Sequence, residues 1–259
     1  MRKKCIVSDL DGTLLKEGEE RLPEEFFDGI RELRSRKIDF VVASGRSYGD
    51  LKKLLAPVLY EVTMICEEGA AIIQKGKMLH CRPIPRETVE HWVKEARRQK
   101  AELLLAGKHT CYTEYGNEGL RSRYQKQRRA VMSVRDVREV TEPVLRMSFS
   151  LEPGEKGDWI RRKREKDQEV RISFQDESWL DLVWAEADKG SALQWLLKER
   201  GLSVEEVLVF GDNTNDIPMF RLVPDSFAMK WAKEEVRREA GHESACVMES
   251  VRKILKQQL

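Results

Sequence analysis

The chain has 259 residues, which is enough for one large or two modest domains with proper cores. Hydrophobic residues make up 41% and charged residues 36%, which is typical of a soluble globular protein and excludes a disordered chain or a fibre. A formal net charge of +2 argues against a dedicated nucleic-acid-binding protein, and five cysteines without a Cys-x-x-Cys pair argue against a disulfide framework or a zinc site.

The N-terminus begins with a short basic stretch followed at once by the first predicted strand. Only a few apolar residues precede Asp9, so the pattern of a secretory signal is missing. No apolar stretch has the length needed to cross a bilayer. We therefore expect a cytoplasmic protein without a membrane partner.

Two carboxylates, Asp9 and Asp11, follow the first buried strand in a turn that continues with Gly12. Ligands of open α/β sheets collect at the carboxyl ends of the strands. Two carboxylates held close together repel each other unless a cation or a proton lies between them. For an isolated Asp-x-Asp we would favour a simple polar turn with Asp as a helix cap, so the interpretation depends on the motifs further along.

The next elements indicate βαβ units and a parallel sheet. An amphipathic helix begins after Pro23, a buried strand over 40–43 ends in Ser44-Gly45-Arg46, and another strand is predicted over 63–66. A hairpin that turns near Gly76 follows. The helix stripe comprises Phe26, Phe27, Ile30 and Leu33.

Residues 82–186 have the pattern of a separate, smaller α+β domain, with Trp92 in its core. A basic helix is predicted near residues 117–129, and residues 161–164 form a continuous basic run. Such runs are usually solvated helix faces, which is the interpretation we favour. A positive rim that attracts anionic substrates is the alternative.

The C-terminal part returns to the pattern of the first. Lys189 lies in the first turn of an amphipathic helix, where the helix dipole disfavours a cation, which suggests a functional reason for it. A buried strand over 207–210 then ends in Gly211-Asp212 and, shortly after, Asn215-Asp216. Each polar cluster thus lies at the end of a strand or the start of a helix.

Together these four motifs resemble the haloacid dehalogenase superfamily, in particular its Cof-like phosphatase branch. The resemblance covers residues 1 to about 80 and about 186 to 259 and is looser between them. It implies a Rossmann-like parallel-sheet core of residues 1–81 and 187–259, with residues 82–186 inserted as an α/β cap that closes over the core and contacts the substrate.

Phosphoryl transfer explains the residue types. Asp9 can act as a carboxylate nucleophile and Asp11 as the group that protonates the leaving oxygen and then deprotonates water. Lys189 and Mg²⁺ would offset the negative charge. By resemblance, the metal ligands are the Asp9 carboxylate, the Asp11 backbone carbonyl and the Asp212 carboxylate.

The remaining motif residues receive supporting roles. By the same resemblance, Asp216 either assists the metal site from behind its ligands or orients Lys189. Ser44 and Gly45 are suited to hold the phosphoryl oxygens, Arg46 belongs with them as a substrate-binding residue, and Asn215 is expected to hydrogen-bond phosphate or Lys189.

The sequence departs from the family pattern in two places. Glu68 stands where the family usually has Asn, and Lys230-Trp231 stand where it usually has Gly-Asn. The second departure suggests a narrower entrance or an added cationic contact.

The leading hypothesis is a Mg²⁺-dependent phosphatase of small phosphorylated metabolites, such as sugar phosphates. A phosphomutase of the phosphomannomutase type and, from a different class, an anion- or nucleic-acid-binding protein that uses the basic insertion are the alternatives. The intact acidic motifs favour an enzyme with a small-molecule substrate and no nucleic-acid partner.

Overall fold

A computed structural model describes residues 2–16, 18–108, 110–119, 121–122, 131–150, 158–175 and 179–256. The chain divides into two compact units, one comprising Met1–His80 with Asp188–Leu259 and the other Cys81–Ala187. These divisions lie one residue away from the domain limits predicted above. The role of the second unit as a cap stays a prediction.

The strands of the described residues are β1 (Cys5–Asp9), β2 (Asp39–Ala43), β3 (Val62–Cys66), β4 (Ala71–Gln74), β5 (Lys77–Cys81), β6 (Leu103–Ala106), β7 (Cys111–Glu114), β8 (Val131–Val134), β9 (Arg146–Ser150), β10 (Val170–Gln175), β11 (Trp179–Trp184), β12 (Val207–Gly211), β13 (Ser226–Met229) and β14 (His242–Ser244). The helices are α1 (Glu24–Ser35), α2 (Tyr48–Leu54), α3 (Arg86–Arg98), α4 (Asp158–Lys166), α5 (Lys189–Arg200), α6 (Ile217–Leu222), α7 (Glu234–Arg237) and α8 (Val247–Lys256).

The first unit is built on an eight-stranded sheet in the order β14-β13-β12-β1-β2-β3-β4-β5. The strands from β14 to β3 run parallel, and β4 is antiparallel to β3. Cys5 lies opposite Val207 on one side and Asp39 on the other, so β1 is paired along both edges. This sheet confirms the predicted α/β class with a parallel-sheet core.

Helices cover this sheet with the apolar stripes that the sequence predicts. The stripe of α1 is buried, and Phe26 packs edge-to-face on Phe40 of β2 with ring centroids 5.6 Å apart. The stripe of α5, including Leu193 and Leu196, packs in the same core as Val7 of β1. Gly201 ends α5 in the left-handed conformation that glycine adopts without strain.

The second unit contains a six-stranded sheet in the order β10-β11-β9-β6-β7-β8. Its core includes Trp92 of α3, Phe149 of β9 and Trp159 of α4, which confirms the predicted core position of Trp92. The Nη1 atom of Arg82 donates to the carbonyl oxygen of Glu186 at 3.0 Å, so the two ends of this unit meet. The predicted basic helix near 117–129 falls mostly outside the described residues.

Among the helices of the described segments, none combines the length and apolar character that crossing a bilayer requires.

Candidate active site

Asp9 is the last residue of β1 and is only 4% exposed. Because β1 lies between β2 and β12, the residues that follow these neighbouring strands reach the same edge of the sheet. Ser44 follows β2 and Asp212 follows β12. The parallel sheet thus brings three of the predicted motifs to one place.

Lys189 joins this edge from the first turn of α5. Its Nζ atom lies 2.6 Å from Oδ1 of Asp9 and 2.7 Å from Oδ1 of Asp216. The side chain is 1% exposed. Burial lowers the pKa of Lys189, but the Asp216 and Asp9 carboxylates outweigh it and leave this pKa above its ordinary value. The lysine is therefore a fixed positive charge beside Asp9.

Asp216 holds both Lys189 and the loop that follows β12. While its Oδ1 accepts from Lys189, its Oδ2 accepts from the backbone N–H groups of Asp212 at 3.0 Å and Asn213 at 3.1 Å. The residue is fully buried. Both oxygens are thus engaged, which fits the predicted role of orienting Lys189. Its part in metal binding stays a prediction.

Three carboxylates form a cluster at this edge of the sheet. Ligand oxygens of Asp9, Asp212 and Asp216 all lie within 4.8 Å of one another. Asp212 also accepts from Oγ1 of Thr13 at 2.7 Å. Burial raises the pKa of Asp9, and the same effect raises the pKa of Asp212, because both carboxylates lose water while facing other negative charges. A set of hard oxygen ligands with unbalanced charge suits a divalent cation.

Gly12 permits this close arrangement. Its φ of +87° is a conformation that side chains rarely adopt, and a Cβ there would lie 2.2 Å from Oδ2 of Asp212. The turn after β1 can therefore approach the Asp212 loop only because this residue is glycine.

The Asp11 carboxylate is held by Arg46. Nε of Arg46 donates to Oδ2 of Asp11 at 2.9 Å, and Nη2 donates to Oδ1 at 2.5 Å. The Asp11 side chain is 50% exposed and that of Arg46 is 36% exposed. A two-point contact of this kind fixes the direction of the carboxylate. The sequence placed both residues in the site but gave no signal that they pair.

The loops after β2 and β3 form another side of the site. Ser44 is buried, and its Oγ accepts from the backbone N–H of Arg46 at 3.1 Å. A Cβ at Gly45 would lie 2.1 Å from Oε1 of Glu68, so this carboxylate lies directly against the glycine. Nδ2 of Asn215 donates to Oε2 of Glu68 at 3.0 Å.

Glu68 is thus a site residue that the motifs missed, although its departure from the family pattern singled it out. The Asn215 amide bonds to Glu68 and not to Lys189, while Oδ1 of Asn215 is buried without a hydrogen-bond partner among the described residues. That oxygen can accept a bond from another group at the site. Its predicted contact with phosphate stays a prediction.

Trp231 also reaches this region from the segment after β13. Its Nε1 atom donates to the carbonyl oxygen of Gly12 at 2.7 Å. The second departure from the family pattern therefore places an aromatic ring against the turn that follows Asp9 and Asp11.

Comparison with known proteins shows which family has a sequence and fold like those of this chain. The family model of haloacid dehalogenase-like hydrolases matches residues 6–251. The 5-amino-6-(5-phospho-D-ribitylamino)uracil phosphatase YbjI of Escherichia coli (strain K12) is 25% identical, covering 99% of this chain and 97% of its own. An HMP-PP phosphatase of Escherichia coli O6:H1 is 24% identical, covering 92% of this chain and 88% of its own. A crystal structure from Eubacterium rectale has the same fold, with a TM-score of 0.88, 23% identity and 99% of each chain covered.

The chain therefore belongs to the haloacid dehalogenase-like hydrolases. The predicted family and the predicted enzyme class, a phosphatase, are confirmed. The family assignment concerns the whole chain because the matched residues include both units.

Proposed function

We propose that the protein hydrolyses phosphate monoesters of small metabolites in a Mg²⁺-dependent reaction that passes through a phosphorylated Asp9. The observation that carries this proposal is the buried Asp9 carboxylate, held 2.6 Å from the Nζ atom of Lys189 at the end of the central strand. A nucleophile that is fixed and partly neutralised can approach a dianionic phosphate with less repulsion.

The first half of the reaction transfers the phosphoryl group. An oxygen of Asp9 attacks the phosphorus atom, and the bond between phosphorus and the ester oxygen breaks. The leaving oxygen takes a proton from the Asp11 carboxyl group and departs as an alcohol. Lys189 stays protonated throughout and balances part of the charge on the phosphoryl oxygens.

The second half restores Asp9. The Asp11 carboxylate removes a proton from water, and the resulting oxygen attacks phosphorus. The bond between phosphorus and Asp9 breaks, inorganic phosphate is released, and Asp11 is protonated for the next cycle. Ser44 and the amide of Gly45 would hold the phosphoryl oxygens in both halves.

The carboxylates of Asp9 and Asp212 and the backbone carbonyl of Asp11 would hold Mg²⁺. When bound, the ion supplies positive charge that offsets the acidic cluster and the substrate phosphate. The donor set supports this assignment, since three carboxylates within 4.8 Å of one another leave negative charge unbalanced. Removal of divalent ions should therefore abolish turnover.

Arg46 links substrate binding to proton transfer. The Arg46 guanidinium donates two hydrogen bonds to Asp11. A phosphate group competes for the same guanidinium, because phosphate also accepts two hydrogen bonds from one arginine. Transfer of Arg46 to the phosphate would release the Asp11 carboxyl group to face the leaving oxygen.

The names of two relatives support a class of substrate. Both E. coli relatives carry the names of phosphatases of small phosphorylated compounds. We therefore infer a small-molecule phosphate ester as the substrate.

The test is phosphate release from a panel of small phosphate esters, with Mg²⁺ and with a chelator. Asp9→Asn should lower kcat/KM by at least about a thousandfold, because the amide is a poor nucleophile. Asp28→Asn, the same change in an exposed pair with Arg31, is the matched control and should stay within about twofold.

Two other results would contradict the proposal. Undiminished hydrolysis by Asp9→Asn would remove Asp9 as the nucleophile. An isomeric sugar phosphate formed without release of inorganic phosphate would identify a phosphomutase.

A further inference from the structure

A cavity of about 770 Å³ opens beside the acidic cluster. The site residues Asp11, Arg46 and Asp212 line it, together with Gly12 and Trp231. The cavity therefore adjoins the reacting groups and has one wall formed by an aromatic side chain.

Trp231 is unusually exposed for a tryptophan. The side chain is 49% accessible, and it is one of five large hydrophobic side chains that are exposed within the described segments. Of these five, Trp231 is the one that lines this cavity. A half-exposed indole ring in the wall of a cavity offers a flat apolar face to a bound molecule.

Hydrogen bonds fix the position of the Trp231 ring. Its Nε1 atom donates to the carbonyl oxygen of Gly12, and the neighbouring backbone is held by two further bonds. The N–H of Lys230 donates to the oxygen of Ser244 at 2.9 Å, and the N–H of Ala232 donates to the oxygen of Met229 at 2.9 Å. Since little rotamer freedom remains to be lost, contact with this ring costs little entropy.

The chemistry of the site indicates which part of the substrate occupies the cavity. A proton donor must lie within hydrogen-bond reach of the leaving oxygen. Asp11, the donor proposed above, lines the cavity that Trp231 also lines. With Asp11 as the proton donor, the group attached to the leaving oxygen would therefore extend into this cavity, where Trp231 is one of the lining residues.

We propose that Trp231 is a specificity-determining residue that stacks on the leaving group and selects phosphate esters with a planar aromatic or heteroaromatic ring. This inference rests on the phosphatase function proposed above. Stacking of one planar base on an aromatic side chain is worth enough to change affinity by about fivefold to more than a hundredfold.

The test compares benzyl phosphate with cyclohexylmethyl phosphate. The two esters have leaving groups of similar size, and both leave as primary alcohols, so the difference between them is the planar ring. We expect the ratio of their kcat/KM values to fall at least about fivefold in Trp231→Ala. Trp231→Phe keeps an aromatic face without the bond to Gly12 and should retain most of the preference.

Tyr60→Ala is the matched control, because Tyr60 is an exposed aromatic residue, 66% accessible, that does not line the cavity. In Tyr60→Ala the ratio of the kcat/KM values for the two esters should equal that of the unaltered protein. If Trp231→Ala also leaves the ratio within twofold, while both esters are still hydrolysed, the proposal is wrong and Trp231 serves only to anchor the Gly12 turn.

Binding of phosphonates separates this proposal from the phosphatase function. Benzylphosphonate should change the tryptophan fluorescence of the unaltered protein, and this change should be missing in Trp231→Phe, whereas methylphosphonate should give little change in either. If no ester is hydrolysed but this pattern holds, the phosphatase function fails and the ring-binding role stands. If benzylphosphonate gives the same signal in both proteins, the ring-binding role fails.

Discussion

Lys189 and Asp216 form an ion pair that is almost completely removed from water. The exposed fractions of their side chains are 1% and 0%, and Asp9 shares the same lysine. Burying charge is costly unless every partner is present, so such a pair contributes more to position than to net stability. The consequence is that removing one partner should harm the fold and the chemistry together.

Asp216→Asn tests this dependence. The amide carries no charge for Lys189, and its NH₂ group would face the N–H donors of Asp212 and Asn213 if its oxygen kept the lysine. We expect the free energy of unfolding to fall by about 3 kcal/mol in urea titrations and kcat to fall at least about tenfold.

The control for this variant is again Asp28→Asn, whose pair with Arg31 is exposed. Its unfolding free energy should change by less than about 0.5 kcal/mol. Equal free energies of unfolding for the two variants would show that the buried pair matters no more for stability than the exposed pair does.

Several contacts of the site lay beyond what the sequence could predict. Arg46 meets Asp11 across 35 residues and Trp231 meets Gly12 across 219 residues. Neither contact leaves a local pattern, because each depends on how two separate loops are directed once the sheet has formed. A motif names the residues of a site, but the pairing of their side chains is a property of the tertiary structure.

The helices and strands, in contrast, were well predicted where an apolar pattern is followed by the residues of a turn. β1, β2 and β12 are short apolar runs that end in polar turns, so both their type and their ends could be read locally. The limits of α7, which comprises only Glu234–Arg237, are harder to read from the sequence. Charged residues dominate that segment and give little periodicity to define its end.

Lys189 is the first residue of helix α5. The position of the first helical turn therefore determines where the Lys189 side chain lies. Asp188 caps the helix by accepting from the N–H of Ser191 at 2.8 Å, and Oγ of Ser191 accepts from the N–H of Asp188 at 3.3 Å. This reciprocal capping box provides acceptors for two backbone N–H groups that have no partner inside the helix.

Asp188→Ala should lower the free energy of unfolding by about 1 kcal/mol, because the N–H of Ser191 loses its acceptor. Fraying of the first turn should also loosen Lys189 and reduce kcat severalfold. Asp188→Asn keeps a capping oxygen and should match the unaltered protein in both measurements. Chemical denaturation and steady-state kinetics of the three proteins would decide, and identical values for Asp188→Ala would contradict this role of the cap.

At the scale of the whole molecule, the chain consists of one unit built from two separate stretches and one unit built from a single stretch. The continuous unit, Cys81–Ala187, has its own core, and its ends are linked through Arg82 and Glu186. A domain with a core of its own and adjoining ends has the features of an independently folding insertion.

We expect a fragment of residues 81–187 to fold alone, with a cooperative thermal transition and a near-ultraviolet circular dichroism signal from its tryptophans. Trp92→Ala in the same fragment is the control, since loss of this buried ring costs about 3–5 kcal/mol and should abolish the transition. A fragment that melts without cooperativity would mean that this unit depends on the rest of the chain.

The double pairing of β1 has a consequence for the motions of the protein. Its residues are completely or almost completely buried, and both edges of the strand are bonded to parallel neighbours. Amide protons in such a strand exchange with deuterium only when the sheet opens as a whole. The carboxylate proposed to capture phosphorus is therefore attached to a strand that opens slowly, whereas loops with fewer backbone bonds can rearrange on a faster timescale.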